Sequence, residues 1–125
     1  MNLLLDTHAV LWWFADDPAL SREARRAIGD ASNDICVSPV TPWEIAIKSA
    51  AGKLKAPDNL LEAIKANRFR ELPISLVHAE RAGNLPPWHR DPFDRMLIAQ
   101  ALTEGLTLVT RDRVFEQYEV NVLRA

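Results

Sequence analysis

The 125-residue sequence has the length of one domain, and its composition of 48% hydrophobic and 26% charged residues is typical of a folded chain rather than a disordered one. Taken alone, a net charge of −2 argues against a protein that binds nucleic acid by bulk positive charge. The single cysteine excludes an intrachain disulfide, and no apolar run reaches the ~20 residues of a membrane span. No Lys or Arg precedes Arg22, which argues against a signal peptide, so we expect a cytoplasmic protein.

Strands and helices alternate along the first half of the chain. The predicted strands are short apolar runs, and the predicted helices begin at capping residues or prolines. In chain order we expect a strand at 2–5, helices at 7–15 and 21–31, a strand at 34–37, and helices at 41–52 and 57–67.

The second half continues the alternation. We expect a weak edge strand at 71–74, helices at 75–83 and 92–104, a strand at 106–110, a short helix at 112–118 and a last strand at 120–123. Nearly continuous apolar strands separated by helices are typical of a parallel sheet that is covered on both faces. The sequence therefore predicts a single α/β domain over residues 1–125.

Two aspartates follow predicted strands. Asp6 ends the first strand, and Asp112 follows the strand at 106–110. Open α/β sheets bind ligands at the carboxyl ends of their strands, so the two carboxylates face one crevice if these strands are neighbours. The alternative is that each aspartate only caps the helix that follows it.

Two further carboxylates lie near helix starts. Asp91 is the predicted N-cap of the helix at 92–104, and Asp94 shares a face with the apolar stripe of that helix, so it points into the fold. A capping box between Asp91 and Asp94 is the alternative. Glu44 follows Thr41 at the spacing of a capping box, which taken alone favours a structural role for Glu44.

Considered together, the four carboxylates indicate a metal site. Carboxylates that are packed in a dry crevice repel one another unless a cation lies among them. Ligation by oxygen alone favours hard ions, here Mg²⁺ or Mn²⁺. No cluster with zinc spacing competes, because His8, His78 and His89 are scattered along the chain and Cys36 is expected in the core.

At these residues the sequence resembles the PIN domain family of metal-dependent nucleases, in particular the VapC-type toxin ribonucleases of type II toxin–antitoxin systems. The resemblance spans essentially the whole chain. It is carried by LLLDTH at 3–8, by 38–47 around WEI, by HRDPFDRMLIAQA at 89–101 and by LVTRD at 108–112. Four segments in this order and spacing are far more specific than one strand that ends in Asp-Thr.

The resemblance implies a PIN-like fold and a set of site residues. The fold would be a central parallel sheet of about five strands in the order 3-2-1-4-5, with helices on both faces. The metal-binding and catalytic acids would be Asp6, Glu44, Asp94 and Asp112. A hydroxyl that positions water or metal would come from Thr110, and Thr7 is a further candidate for that role.

The resemblance also implies a function and partners. The protein would be a Mg²⁺- or Mn²⁺-dependent endoribonuclease that cleaves tRNA or rRNA, pairs with itself as a homodimer and is silenced by a VapB-type antitoxin. Two alternatives stay open: a PIN nuclease that processes RNA without an antitoxin, and a non-catalytic α/β binding module whose acids are all caps. A receiver-type signalling domain is disfavoured, because the third strand does not end in an aspartate.

Cationic and aromatic side chains are the remaining candidates for binding a substrate or a partner protein. Three arginines that flank the acids in sequence are candidate contacts to substrate phosphates, namely Arg90, Arg95 and Arg111. The sequence fits equally well with each of them being a surface arginine that has no role in binding. Trp12 and Trp13 lie in the apolar run at 10–14, which predicts either a buried core helix or a surface for a homodimer or antitoxin partner.

Overall fold

Five parallel strands form one sheet with helices on both faces in the computed structural model, which describes residues 1–125. The strands are β1 (Asn2–Leu5), β2 (Asp34–Val37), β3 (Arg70–Glu71), β4 (Thr107–Thr110) and β5 (Val122–Arg124). The helices are α1 (Thr7–Phe14), α2 (Arg22–Gly29), α3 (Val40–Ala50), α4 (Leu60–Ala66), α5 (Leu76–Asn84) and α6 (Pro92–Glu104), and a 3₁₀ helix at Arg113–Tyr118 precedes β5. The strand order β3-β2-β1-β4-β5 confirms the predicted topology.

The central strand β1 is buried on both faces. Leu3 and Leu5 pack into a core that includes residues of α1, α2 and α4, whereas Leu4 packs into a second core that includes residues of α3 and α6. All three leucines are fully buried. Because side chains alternate between the faces of a strand, a strand covered on both sides must be apolar at every position, and the sequence of β1 meets this requirement.

Strands β1 and β4 are neighbours in the sheet. Leu4 of β1 pairs with Leu108 of β4, and the backbone N–H of Asp6 continues this ladder by donating to the carbonyl of Val109 at 3.1 Å. The segments that follow the two strands therefore leave the sheet side by side. This arrangement brings Asp6 and Asp112 to the same edge.

Helix α6 has the predicted bounds because both of its ends carry strong local signals. The Asp91 carboxylate accepts hydrogen bonds from the backbone N–H groups of Phe93 and Asp94, and Pro92 occupies the first turn. Gly105 ends the helix at φ 68°, a left-handed conformation that favours glycine.

Other predicted bounds are wrong by a few residues. Strand β3 covers Arg70–Glu71 instead of 71–74, because Pro73 has no N–H and the last donation to β2 comes from Leu72 to the Val37 carbonyl at 3.0 Å. Helix α3 begins at Val40, after Pro39, and not at 41.

Two more helices and the last strand also differ. Helix α4 begins at Leu60 rather than 57, since Asn59 has a non-helical backbone, and the predicted helix at 112–118 is a 3₁₀ helix. Strand β5 is shifted to Val122–Arg124 from the predicted 120–123. None of the helices has both the length and the hydropathy that crossing a bilayer requires.

Candidate functional site

The carboxyl edge of the sheet brings the four predicted acids into one neighbourhood. Asp6 and Asp112 line a common crevice, and the charge of Glu44 acts on both Asp6 and Asp94. These carboxylates come from the ends of β1 and β4, from α3 and from the first turn of α6. The prediction that they lie close together in space is therefore consistent with the fold, while their role as metal ligands stays a prediction.

Asp6 is both a helix cap and a buried charge. Its Oδ1 atom accepts from the backbone N–H of Ala9 at 2.8 Å, so the capping alternative describes a real contact. Burial raises the pKa of the Asp6 carboxyl, and repulsion from Glu44 adds to this, against lowering by a hydrogen bond with Thr110 and by the Ala9 contact. A cap alone does not require a carboxylate that is only 8% exposed, so the position favours a second role.

Thr110 connects the aspartates at the ends of β1 and β4. Its hydroxyl group accepts from the backbone N–H of Asp112 at 3.1 Å and lies close enough to Asp6 to lower the pKa of that carboxyl. Asp112 in turn caps the 3₁₀ helix through its Oδ1 atom, which accepts from Val114 N–H at 3.0 Å. The Oδ2 atom of Asp112 takes no part in this cap.

Glu44 is not part of a capping box, so the capping alternative for this residue is wrong. Thr41 lies inside α3 rather than at its N-cap, and its hydroxyl group has no hydrogen-bond partner. The Glu44 side chain points inward and is 3% exposed. Its Oε1 atom accepts from the Thr7 hydroxyl at 2.5 Å, and its Oε2 atom pairs with Lys48 one turn along the helix.

Asp94 is not a cap either, because Asp91 alone accepts the first-turn N–H groups of α6. The Oδ2 atom of Asp94 instead lies 2.7 Å from Nε2 of His89. Burial raises the pKa of Asp94 to about 6, with repulsion from Asp91 and Glu44 in the same direction and the His89 contact opposing it.

His89 was not among the predicted site residues, although its side chain lies beside two of the predicted acids. Its Nε2 atom lies 2.7 Å from Asp94 and 3.9 Å from the Oδ2 atom of Asp112. The sequence offered one signal, since His89 lies within the HRDPFDRMLIAQA segment that carries the resemblance. His89 lies in a loop, which has no helical or strand periodicity. The sequence alone therefore does not show which way the His89 side chain points.

Lys48 is a second site residue that the sequence analysis missed. It pairs with Glu44, and its Nζ atom lies 3.9 Å from the Oδ2 atom of Asp91, so one cation joins α3 to the start of α6. The spacing of four residues between Glu44 and Lys48 in a predicted helix was a usable signal for this pair.

The three predicted phosphate-binding arginines differ in how they are used. Arg95 donates to several backbone carbonyls, among them those of Ala82, Leu85 and His89 at 2.8–2.9 Å. Its guanidinium group is therefore already engaged in hydrogen bonds within the protein. Arg111 lines the crevice of Asp6 and Asp112, where its guanidinium group bonds to backbone carbonyls. Arg90 is exposed. Substrate contact by any of them stays a prediction.

Both tryptophans of α1 make contacts within the chain. The Trp12 ring lies under the Arg111 guanidinium at 4.4 Å, at the edge of the crevice. The Trp13 indole packs against Phe69 and donates to Asn67 at 3.1 Å. Both rings remain partly exposed, and their role in a partner interface stays a prediction.

The donor set of this crevice fits a divalent cation. The carboxylates of Asp6 and Glu44 are almost fully buried, and mutual repulsion contributes to the raised pKa values of Asp6 and Asp94. A divalent ion among these oxygens would remove that repulsion. Metal-assisted hydrolysis is therefore the chemistry that the arrangement favours.

Comparison with known sequences gives two matches over nearly the whole chain. The sequence model of the PIN domain matches residues 3–121. The ribonuclease VapC22 of Mycobacterium tuberculosis (strain ATCC 25618 / H37Rv) is 32% identical over 115 residues, which cover 90% of this chain and 88% of that protein.

Solved structures share the fold. VapBC2 from Rickettsia felis, bound to a DNA fragment from its promoter, superposes with a TM-score of 0.71 at 17% identity, over 98% of each chain. DNA-bound VapBC from Salmonella typhimurium gives 0.70 at 24% identity, over 98% of this chain and 97% of that one. A toxin–antitoxin complex from Klebsiella pneumoniae gives 0.65 at 23% identity, over 98% and 96%.

Proposed function

The chain belongs to the PIN domain family, and from this premise we propose that it is a divalent-metal-dependent endoribonuclease that acts as the toxin of a VapBC-type toxin–antitoxin module. The relative with 32% identity is named as a ribonuclease, and the structures with the same fold are toxin–antitoxin complexes. The observation that carries the proposal is the gathering of four acids from distant segments at the carboxyl edge of the sheet. Asp6 and Asp112 line one crevice, an oxygen of Asp94 lies within 4.8 Å of an oxygen of Asp112, and the charge of Glu44 acts on both Asp6 and Asp94.

The metal ligands in this proposal are the four carboxylates, namely Asp6, Glu44, Asp94 and Asp112. When bound there, Mg²⁺ or Mn²⁺ would activate water and stabilise negative charge on the phosphate. The reaction is hydrolysis of an RNA phosphodiester, in which the oxygen of water replaces the 3′-oxygen on phosphorus. No side chain needs to act as a covalent nucleophile.

The other residues of the crevice orient these acids. Thr7 and Lys48 fix the Glu44 carboxylate, each through one of its oxygens, and Thr110 lies beside Asp6 and lowers the pKa of its carboxyl. Fixed carboxylates are needed because metal-assisted chemistry depends on the position of the ligands. Arg111, at the edge of the crevice, is the cation best placed to approach a substrate phosphate.

A cleavage assay with total RNA tests the nuclease. We expect the native protein to cleave RNA with Mg²⁺ or Mn²⁺ and to stop when EDTA is added. In Asp6→Asn the rate should fall by about hundredfold or more, because a charged ligand is lost. Asn is as good an N-cap as Asp, so α1 should keep its cap and the fold should persist by circular dichroism.

Asp58→Asn is the matched control, because it makes the same chemical change at an exposed carboxylate outside the crevice. This variant should cleave RNA at the native rate. Full activity of Asp6→Asn, or cleavage that continues in EDTA, would contradict the metal-dependent mechanism. Absence of cleavage by the native protein would favour a non-catalytic binding module.

The toxin role has a separate test. Expression of the chain in a bacterial host should arrest growth, and co-expression of the antitoxin encoded with it should restore growth. Asp6→Asn should not arrest growth. Normal growth with a native protein that cleaves RNA in vitro would favour the alternative of an RNA-processing nuclease without an antitoxin.

A further inference from the structure

His89 places an imidazole nitrogen among the predicted metal-binding oxygens. The Nε2 atom of His89 and one carboxylate oxygen from each of Asp94 and Asp112 lie within 4.8 Å of one another. Adjacent donors around an ion at ~2.1 Å are about 3 Å apart, and opposite donors are about 4.2 Å apart. The distances from His89 Nε2, 2.7 Å to Asp94 Oδ2 and 3.9 Å to Asp112 Oδ2, are close to these two spacings.

The His89 loop is held in position by several contacts. The backbone N–H of His89 donates to the Tyr118 hydroxyl at 2.7 Å, and the His89 carbonyl accepts from Arg95 at 2.9 Å. The imidazole ring packs against Phe115, with 5.9 Å between the ring centroids. The His89 side chain is 19% exposed, so these contacts hold the ring without burying it completely.

The contact with Asp112 distinguishes a ligand set from a simple hydrogen bond. His89 and Asp94 are within hydrogen-bond distance, but the 3.9 Å between His89 Nε2 and Asp112 Oδ2 is too long for one. One ion could contact all three atoms, whereas a proton shared between His89 and Asp94 involves those two residues only.

We propose that His89 is a metal ligand alongside Asp94 and Asp112, so that the site has mixed nitrogen and oxygen donors and favours transition-metal ions over Mg²⁺. Imidazole binds the later first-row ions well, whereas Mg²⁺ prefers oxygen donors and retains water. This inference rests on the proposed metal site and adds a residue and an ion preference to it. It replaces the expectation of ligation by oxygen alone.

Calorimetric titration of the metal-free protein with Co²⁺ and, separately, with Mg²⁺ tests the inference without any activity measurement. In His89→Gln the Co²⁺ dissociation constant should rise about tenfold or more, while that of Mg²⁺ should change by less than about threefold. His89→Phe keeps a ring against Phe115 and removes both nitrogens, so it should show at least the same loss for Co²⁺. Circular dichroism checks that both variants fold.

His8→Gln is the matched control, since His8 lines the crevice of Asp6 and Asp112 but is not one of the three grouped residues. This variant should bind Co²⁺ like the native protein. Equal weakening of Co²⁺ and Mg²⁺ in the His89 variants would overturn the inference, because it would mean that His89 only orients Asp94. Unchanged binding of both ions would overturn it as well.

The same titrations separate this inference from the proposed function. If the native protein binds Mg²⁺ and cleaves RNA but the His89 variants bind Co²⁺ normally, only the role of His89 fails. If the native protein binds neither ion, the metal site fails, and the nuclease proposal fails with it.

Discussion

The surroundings of Asp94 disfavour the ionised form of its carboxyl group. Burial and the nearby carboxylates raise its pKa to about 6, compared with an ordinary value of 3.8 for aspartate. In the metal-free protein the folded state therefore binds a proton more readily than the unfolded state between about pH 4 and 6. This difference destabilises the folded state once the pH rises above the unfolded pKa, and the full penalty is present above about pH 6.

Asp94→Asn should remove this penalty. In EDTA at pH 8 we expect the variant to exceed the native protein in free energy of unfolding by about 1–2 kcal/mol, a value reduced for partial exposure to solvent. The difference should shrink as the pH falls below about 6 and disappear below about pH 3, where Asp94 is protonated in both states. Urea unfolding at a series of pH values measures it. A variant that is less stable at pH 8, or a difference that is independent of pH, would contradict the argument.

At the scale of elements, Arg95 joins the start of α6 to the segment that follows α5. Its guanidinium group donates to the carbonyls of Ala82, Leu85, Pro86 and His89 at 2.8–3.0 Å. A backbone segment without secondary structure must satisfy its carbonyl groups in some way, and one side chain does so here for several residues. The position of His89 therefore depends on Arg95.

Arg95→Met should release this segment. The variant keeps most of the aliphatic stem but loses the charged donors, so the free energy of unfolding should fall by about 2–3 kcal/mol in urea titrations. Arg90→Met is the control, because Arg90 is exposed, and its effect should stay within about 0.5 kcal/mol. Equal stability of the two variants would mean that water replaces these bonds without loss.

The elements also show what the sequence could predict and what it could not. Helix α6 was predicted from residue 92 to residue 104 because its cap, its proline and its terminal glycine are local signals. The end of β3 and the start of α3 depend on which neighbouring groups are available for hydrogen bonds, which a single sequence does not specify.

The same distinction applies to the site. Asp6, Asp94 and Asp112 could be proposed because each lies beside a predicted strand end or helix start. The capping box of Glu44 was wrong, because α3 begins before Thr41. His89 was missed because its direction depends on Tyr118 and Arg95, which contact it only in the folded chain.

At the scale of the whole molecule, the predicted ligands join distant parts of the chain. They range from residue 6 to residue 112, and they belong to segments that pack against both cores of the sheet. Unfolding must separate these segments, so an ion held by all of them binds only the folded state. Binding of this kind adds its free energy to the stability of the whole domain.

Mn²⁺ should therefore raise the melting temperature of the metal-free protein. At a concentration 100 times the dissociation constant the gain is about 2.7 kcal/mol, which for a domain of this size corresponds to a shift on the order of 5–10 °C. Asp6→Asn should show a much smaller shift, since a charged ligand is lost, whereas Asp58→Asn should show the native shift. Differential scanning calorimetry at matched ionic strength, with NaCl in place of MnCl₂, separates binding from general screening of charge. An equal shift in NaCl, or in Asp6→Asn, would mean that the acids hold no ion in common.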